Sequence, residues 1–484
     1  MPPSAARPAL VWFRDDLRCD DNPALRAAAA AGPVVALYVL DGETGPAGAA
    51  ARWWLAGSLE ALGAKLARRG VPLLLAEGPA RTCVPEIVRR LDAGAVFWNR
   101  RYSAAAIAID TDLKAELKAE GRAVESFAAS LLFEPWTITT KTGGPFRVFT
   151  PFWRAARAAG PPRAPLSVPD SLTGVPDLVA SPPGDVFHLR PTRPDWAGGL
   201  RASWTPGEAG ARQRLAEFLL HGLPRYTEGR DRPAAEAVSR LSPHLRFGEI
   251  SPARIWQAVT DRAAADPALA GDADKFLSEI GWREFCWHLL HHNPDLATQN
   301  FQPRFDAFAW EEPGPALVAW QTGQTGYPIV DAGMRELWRT GWMHNRVRMI
   351  TASFLVKDLR IDWRQGERWF ADTLVDADPA ANPASWQWVA GSGADAAPYF
   401  RIFNPLLQGE KFDPDGRYVR AYVPELARLP DRWLHRPFEA PAAVLSAAGV
   451  RLGKTYPRPL VDHGRARDAA LAAFAALAGN PDPD

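Results

Sequence analysis

From residue 9 to about residue 127 the chain alternates between short unbroken apolar runs and longer stretches of helical spacing. "ALVWF", "PVVALYVL", "VPLLLAEG", "AVFWN" and "RAVESF" are short and rich in Val, Leu and aromatic residues. That is the pattern of strands buried on both faces. Between them, "NPALRAAAAAG", "ARWWLAGSLEALGAKLARRG", "PEIVRRLDAG" and "IAIDTDLKAELKAEG" read as helices, the second ending at Gly70. Strand–helix alternation predicts a parallel sheet covered by helices. No GxGxxG follows the first strand, which argues against an ordinary dinucleotide site there.

The pattern changes at about residue 135. Pro161, Pro162, Pro165, Pro169, Pro176, Pro182, Pro183, Pro191 and Pro194 punctuate the next stretch, which reads as a long surface connector. From "GEAGARQRLAEFLLHG" onward the spacing is helical again, through "SPARIWQAVTDRAAA", "DADKFLSEIGWREFCWHLLHHN", "PIVDAGMRELWRTG" and "NRVRMITASFLVKDL". Ser251 before Pro252 reads as an N-cap followed by proline at the first helical position. The expected division is an α/β domain over 1–134, a linker over 135–205 and an all-α domain over 206–484.

Lys and Arg total 56 against 55 Asp and Glu, a formal charge of +1. This excludes a globally basic nucleic-acid binder but leaves room for a local basic patch. Cys19, Cys83 and Cys286 are odd in number and form no CxxC pair, so a reducing cytoplasm fits and a disulfide framework does not. "MPPSAARPALVWF" lacks a long apolar h-region, and no run of about 18 apolar residues suggests a membrane span. Twenty Trp is a high count. The plain reading is a Trp-rich core; the sharper one is that some rings carry electrons or stack on bases.

Five stretches carry the chemistry: "YTEGRDRPAAEAVSRLSPHLRFGEISP", "SEIGWREF", "TGYPIVDAGMRELWRTGWMHNRVRMITASFLVKDLRIDW", "VDADPAANPASWQWVAGSGADAAPYFRIFNP" and "QGEKFDPDG". They resemble the signatures of the photolyase/cryptochrome family, nearly continuously from about residue 226 to 425 and more loosely through "LVWFRDDLRCDDNPAL". "RWWL" and "VFWNRRY" point to its bacterial cyclobutane pyrimidine dimer photolyases, on the branch nearest the plant cryptochromes. The resemblance implies a Rossmann-like α/β domain with a parallel sheet for an antenna chromophore, a linker, and an all-α domain that binds FAD. It also implies a reaction. Reduced FAD absorbs blue light and passes an electron to a pyrimidine dimer flipped out of UV-damaged DNA; the dimer splits and the electron returns. The implied protein is a cytoplasmic deoxyribodipyrimidine photo-lyase, monomeric, with no metal, membrane or obligate protein partner.

By the same resemblance, Tyr226, Val238, Ser239, Arg240, Leu241 and Ser242 hold FAD phosphates and ribityl groups, with Val238 standing where a hydroxyl residue is common. Asp376 and Asp378 lie beside the isoalloxazine, Arg348 pairs with Asp376, and Asn382 faces flavin N5. Trp386, Trp363 and Trp310 form a chain of rings from flavin to surface. Trp338 and Trp342 read first as helix-core packing and second as a side branch. Trp388 and Trp282 wall the lesion cavity, Glu279 hydrogen-bonds the damaged base, and Asn345 and Met349 face the same cavity. Arg230, Arg346, Arg401 and Gln408 are candidates for DNA phosphates, and Arg283 shares a helix side with Glu279 and Trp282. His288, His291 and His292 read as helix core and surface rather than metal ligands, since no HExxH or Cys partner accompanies them.

Two relatives within the family are weighed against this. A (6-4) photolyase carries His at both positions occupied here by Asn345 and Met349. A cryptochrome signalling protein of the plant type commonly has Asp in place of Asn382, and a long tail beyond "KTYPRPLVDHGRARDAALAAF". A flavoprotein oxidoreductase would need a nicotinamide motif. The antenna is the open point. The folate pattern of the enterobacterial photolyases places Asn-Glu where this chain has Ala105-Ala106. Methenyltetrahydrofolate is the first candidate; deazaflavin, or no second chromophore, are the alternatives.

Overall fold

The computed structural model describes residues 7–46, 48–182, 184–396 and 400–477. Its contacts divide the chain into two compact units. The first comprises residues 1–146, 150–220 and 239–294; the second comprises 147–149, 221–238 and 295–484. Residues 239–294, expected within the all-α domain of 206–484, fall by contact in the first unit.

The first unit holds the parallel sheet. Its strands are β1 (Ala9–Phe13), β2 (Val34–Leu40), β3 (Leu73–Glu77), β4 (Ala95–Asn99) and β5 (Ala123–Phe127), in the order β3-β2-β1-β4-β5. Val11 lies opposite Ala36 on one side and Phe97 on the other. β1, β2 and β4 are buried along their whole length, because helices α1 (Pro23–Ala31), α2 (Ala49–Ala67), α3 (Ala80–Arg90) and α4 (Ala104–Ala119) accompany the sheet. Leu10, Trp12, Val35, Leu37, Val96 and Trp98 share one core with Ile109, Leu113 and Leu117 of α4.

The sheet runs outward one way through β2 and β3 and the other way through β4 and β5. At that reversal the strand ends diverge and leave polar backbone to be satisfied. Asn99, buried at the end of β4, donates to Asp16 Oδ2 at 2.6 Å and to Asn22 Oδ1 at 2.9 Å. Asn22 in turn accepts from Leu25 N and so caps α1 ahead of Pro23.

The long helix Ala270–His292 also belongs to this unit. Gly281 lies against Trp153: a Cβ there would stand 2.6 Å from Cε3 of the indole. Ser251 Oγ accepts from Arg254 N at 3.0 Å, the cap expected before Pro252. The stretch over 135–205 is not wholly irregular. It contains the helices Phe149–Ala158 and Gly198–Ser203, and Pro151 is tolerated because it falls in the first turn, where an N–H has no intrahelical partner.

The second unit is helical. Pro328–Thr340, Asn345–Ser353, Trp363–Thr373 and Ala381–Ala390 surround a core that includes Trp320, Leu337, Ile350, Leu355, Trp363, Phe370 and Trp386. Gly341 and Gly391 end two of these helices at φ +67° and +96°, conformations that cost other residues about 1–2 kcal/mol. Among the described residues, no helix is long and apolar enough to cross a membrane.

Candidate active site

The stretch "NPASWQWVAG" builds the helix Ala381–Ala390. Four-residue spacing puts Asn382 and Trp386 on one face of it. Asn382 Nδ2 donates to Glu367 O at 3.1 Å and to Glu367 Oε1 at 2.9 Å. With both N–H groups turned to Glu367, the amide presents its carbonyl oxygen, an acceptor, elsewhere. Burial lifts the Glu367 carboxyl above its ordinary range, against the opposing pull of the Asn382 hydrogen bond.

Trp386 is 2% exposed and packs against a helix that has no side chain at Gly366. Gln387, fully buried, accepts from Phe301 N at 2.7 Å and donates to Leu296 O and Gln299 O at 2.7 and 2.8 Å. A polar residue therefore stands between two indoles because it pins segment 296–301 to the helix. Trp388 is half-buried and donates its indole N–H to Asp395 O at 3.0 Å. With Arg304, Arg401, Phe403 and Phe474 it lines a cavity of about 260 Å³.

Asp376 is held by Arg348 Nη2 at 3.1 and 2.8 Å, the pairing expected. Asp378 Oδ1 accepts from Ala380 N and Ala381 N, both at 2.8 Å, so it organises the start of the Asn382 helix. Asn345 and Met349 meet on the helix Asn345–Ser353: Nδ2 lies 3.9 Å from Sδ, on an exposed face. Arg346 is committed to Asp231 at 2.9 Å and lies over the Phe412 ring. Arg230 lies over the Tyr226 ring, its cation 5.5 Å from the centroid. Gln408 sits on the helix Pro405–Phe412.

Trp363 is fully buried and Trp310 packs half-buried against the same core. Trp338 departs from the expected core packing: it is 64% exposed and stacks face to face on Trp369, with centroids 6.0 Å apart. Trp342 is buried as expected.

The first unit carries the other expected site residues. Leu241 is buried, Ser239 Oγ accepts from Leu241 N at 3.3 Å, and Arg240 has φ +51°; Ser242 opens the short helix Ser242–Arg246. On the helix Ala270–His292, Glu279 faces Lys275 at 3.1 Å, a weak exposed pair. Trp282 is half-buried edge-on to Phe285. Arg283 donates to Ser130 O at 2.9 Å and lies 3.4 Å from the Glu284 carboxylate. Beneath them, His288 Nδ1 is 3.0 Å from Pro135 O while Nε2 accepts from Phe146 N at 3.0 Å. This fixes a neutral tautomer, and burial lowers the histidine to about 4.

A profile described as the FAD binding domain of DNA photolyase matches residues 276–476, and one described as DNA photolyase matches residues 9–170. A deoxyribodipyrimidine photo-lyase of Agrobacterium fabrum is 53% identical over 471 residues, 97% of this chain and 98% of its own. The chain belongs to the photolyase/cryptochrome family. The crystal structure of a bacterial class III photolyase from Agrobacterium tumefaciens superposes with a TM-score of 0.96 at 52% identity, covering 99% of this chain and all of that one. Cryptochrome-1 of Arabidopsis thaliana is 39% identical over 95% of this chain and 69% of its own.

Sequence reasoning missed Glu367 and Asn300. Glu367 sits in "WRQGERWF", where a charged helix residue reads as solvated surface. Its only signal is the Gly366 beside it. Asn300 lies in an irregular stretch that has no period to read.

The helix that carries Glu279 and Trp282 also carries a buried carboxyl, Glu284. It accepts from Leu132 N and Phe133 N at 2.8 and 3.2 Å. Burial outweighs these bonds and Arg283, and pushes the carboxyl up to about 7. The folded state then binds more protons than the unfolded state from the ordinary glutamate range up to about pH 7, so stability falls as pH rises through that window. Replacing Glu284 with Gln should remove the slope. Relative to wild type, the variant should gain roughly 2–3 kcal/mol between pH 5 and pH 8 in chemical denaturation. Parallel profiles would contradict this.

Proposed function

We propose that the chain is a light-driven deoxyribodipyrimidine photo-lyase that splits cyclobutane pyrimidine dimers in DNA. The observation that carries this reading is Asn382, held by Glu367 so that it offers a carbonyl acceptor. An acceptor without charge suits a flavin kept reduced, whose N5 carries hydrogen, and an aspartic acid at that position would instead supply a proton. FAD, when bound, supplies light absorption and one-electron chemistry. Arg348, Asp376, Asp378 and Asn382 would hold its ring system, and Tyr226 with Val238, Ser239, Arg240, Leu241 and Ser242 the rest. Val238 offers no hydroxyl, which removes about 0.5–1.5 kcal/mol of hydrogen bonding available to other donors at that point.

Trp282 and Trp388 present flat apolar faces to a flipped pyrimidine dimer, where stacking contributes about 1–3 kcal/mol per base. Glu279 accepts from base N–H, and its surface pair with Lys275 is weak enough to yield. Arg230, Arg283, Arg346, Arg401 and Gln408 meet phosphates around the cavity, which positions DNA without reading its sequence. This reconciles DNA binding with a formal charge of only +1. Trp386, Trp363 and Trp310 would form the path by which electrons from outside reach the flavin site. The protein works as a monomer in the cytoplasm, consistent with three unpaired cysteines.

An antenna would sit in the first unit, in a cavity of about 460 Å³ walled by Trp98, Ile107 and Trp136. Trp98 Nε1 and His291 Nδ1 are buried there without partners. Arg100, Lys114 and Lys118 line the same cavity, so a flat ring with an anionic tail fits, as in methenyltetrahydrofolate. Native mass spectrometry after incubation with folate and with deazaflavin should show a second chromophore. Protein plus FAD alone would count against it.

The lesion class follows from Asn345 and Met349. Neither can act as the general acid that a (6-4) adduct needs, whereas amide and thioether suit hydrogen bonding and packing against a cyclobutane dimer. Chemically reduced protein under blue light should restore thymines from cyclobutane dimers in defined oligonucleotides and leave (6-4) products intact. Glu279→Ala should lower repair per photon more than DNA affinity. Repair of (6-4) lesions alone would contradict the cavity reading, and repair of neither would favour a signalling role.

A further inference from the structure

Trp363 Nε1 donates to Asn300 Oδ1 at 2.9 Å in a fully buried setting. Asn300 Nδ2 donates in turn to Asp306 Oδ1 at 2.6 Å. The order of these partners matters. An indole is a donor only, and an amide carbonyl accepts a hydrogen bond but is far too weakly basic to take the proton; a carboxylate can take it. The one carboxylate in this chain of bonds stands one residue away from the indole, and it fixes the amide with its oxygen toward Trp363. Gln387 holds the same segment through Leu296 O, Gln299 O and Phe301 N, so Asn300 cannot easily turn away.

We propose that Asn300 is a positioning residue that keeps the Trp363 radical cation protonated, so that charge moves on to Trp310 before any proton is lost. This rests on the reading of Trp386, Trp363 and Trp310 as an electron path. Trp386 gives one electron to photo-excited FAD, Trp363 gives one to Trp386, and Trp310 gives one to Trp363. The oxidised indole is a much stronger N–H acid than the neutral one. A base in contact with Trp363 would take its proton and strand a neutral radical in the core, because refilling Trp310's electron into it would then require the proton back. The amide withholds that base, while its carbonyl dipole favours the positive charge. Trp310 is half-buried, at the edge of the same core, and releases its N–H proton to water as the neutral radical forms there.

The test is flash photolysis of the FAD-loaded protein, with the tryptophan radical identified by its absorption as cation or neutral species. In Trp310→Phe the charge stops at Trp363; the cation should persist there and decay by electron return, with no neutral radical. A neutral radical in that variant would overturn the proposal, and this arm needs no change at Asn300. In the same background, the exchange Asn300→Asp with Asp306→Asn keeps the hydrogen bonds and the net charge but puts a carboxylate on the indole. The neutral radical should then appear, and electron return should slow about tenfold or more, equivalent to about 1.4 kcal/mol in a barrier. FAD content and melting temperature serve as folding controls. If the exchange leaves the radical a cation with unchanged decay, Asn300 has no such role. Trp363→Phe separates the two levels: photoreduction undiminished in that variant would remove the electron path, and this inference with it.

Discussion

The contact between Trp386 and the gap at Gly366 is the one on which the helical unit depends. A Cβ at residue 366 would lie 2.1 Å from Cη2 of Trp386 and 2.7 Å from Leu355 Cδ2, so no other residue fits without displacing the ring. Glycine inside a helix costs about 1 kcal/mol relative to alanine, and a fully packed indole recovers more than that. The close approach fixes the helix Ala381–Ala390 against Trp363–Thr373. Asn382 then meets Glu367, one residue beyond the glycine, and Trp363 begins the same helix.

Polar groups around that contact are arranged by the same logic. Three of them are paired across segments: Asn382 with Glu367, Asp376 with Arg348, Trp363 with Asn300. A low-dielectric surrounding makes each such bond count and makes any unpaired group costly. Each of these bonds gives its side chain a defined orientation within the helical unit.

The five strands and their parallel sheet were legible as apolar runs separated by helical spacing, but the order β3-β2-β1-β4-β5 was not, because pairing between distant runs leaves no local pattern. The helix Phe149–Ala158 was not, since a proline at 151 in a proline-rich stretch masked a first turn that tolerates it. Trp338 shows where composition misleads: a large apolar ring reads as core, yet it lies on the surface stacked on Trp369. Arg348 and Asp376 were brought together as expected, but that expectation came from resemblance to a family, not from periodicity. Glu367 and Asn300 stayed hidden because hydrogen bonds between distant segments leave no pattern in a single sequence.

The central claim is that the aromatic path and the lesion cavity serve different electrons: one reloads the cofactor, the other repairs DNA. The direct measurement is a pair of quantum yields in Trp386→Phe, one for light-driven reduction of oxidised FAD by an external thiol and one for dimer splitting by chemically pre-reduced protein. The account predicts that the first falls by about tenfold or more, a barrier change of roughly 1.4 kcal/mol, while the second stays near the wild-type value. A parallel fall in both, with FAD content unchanged, would contradict it.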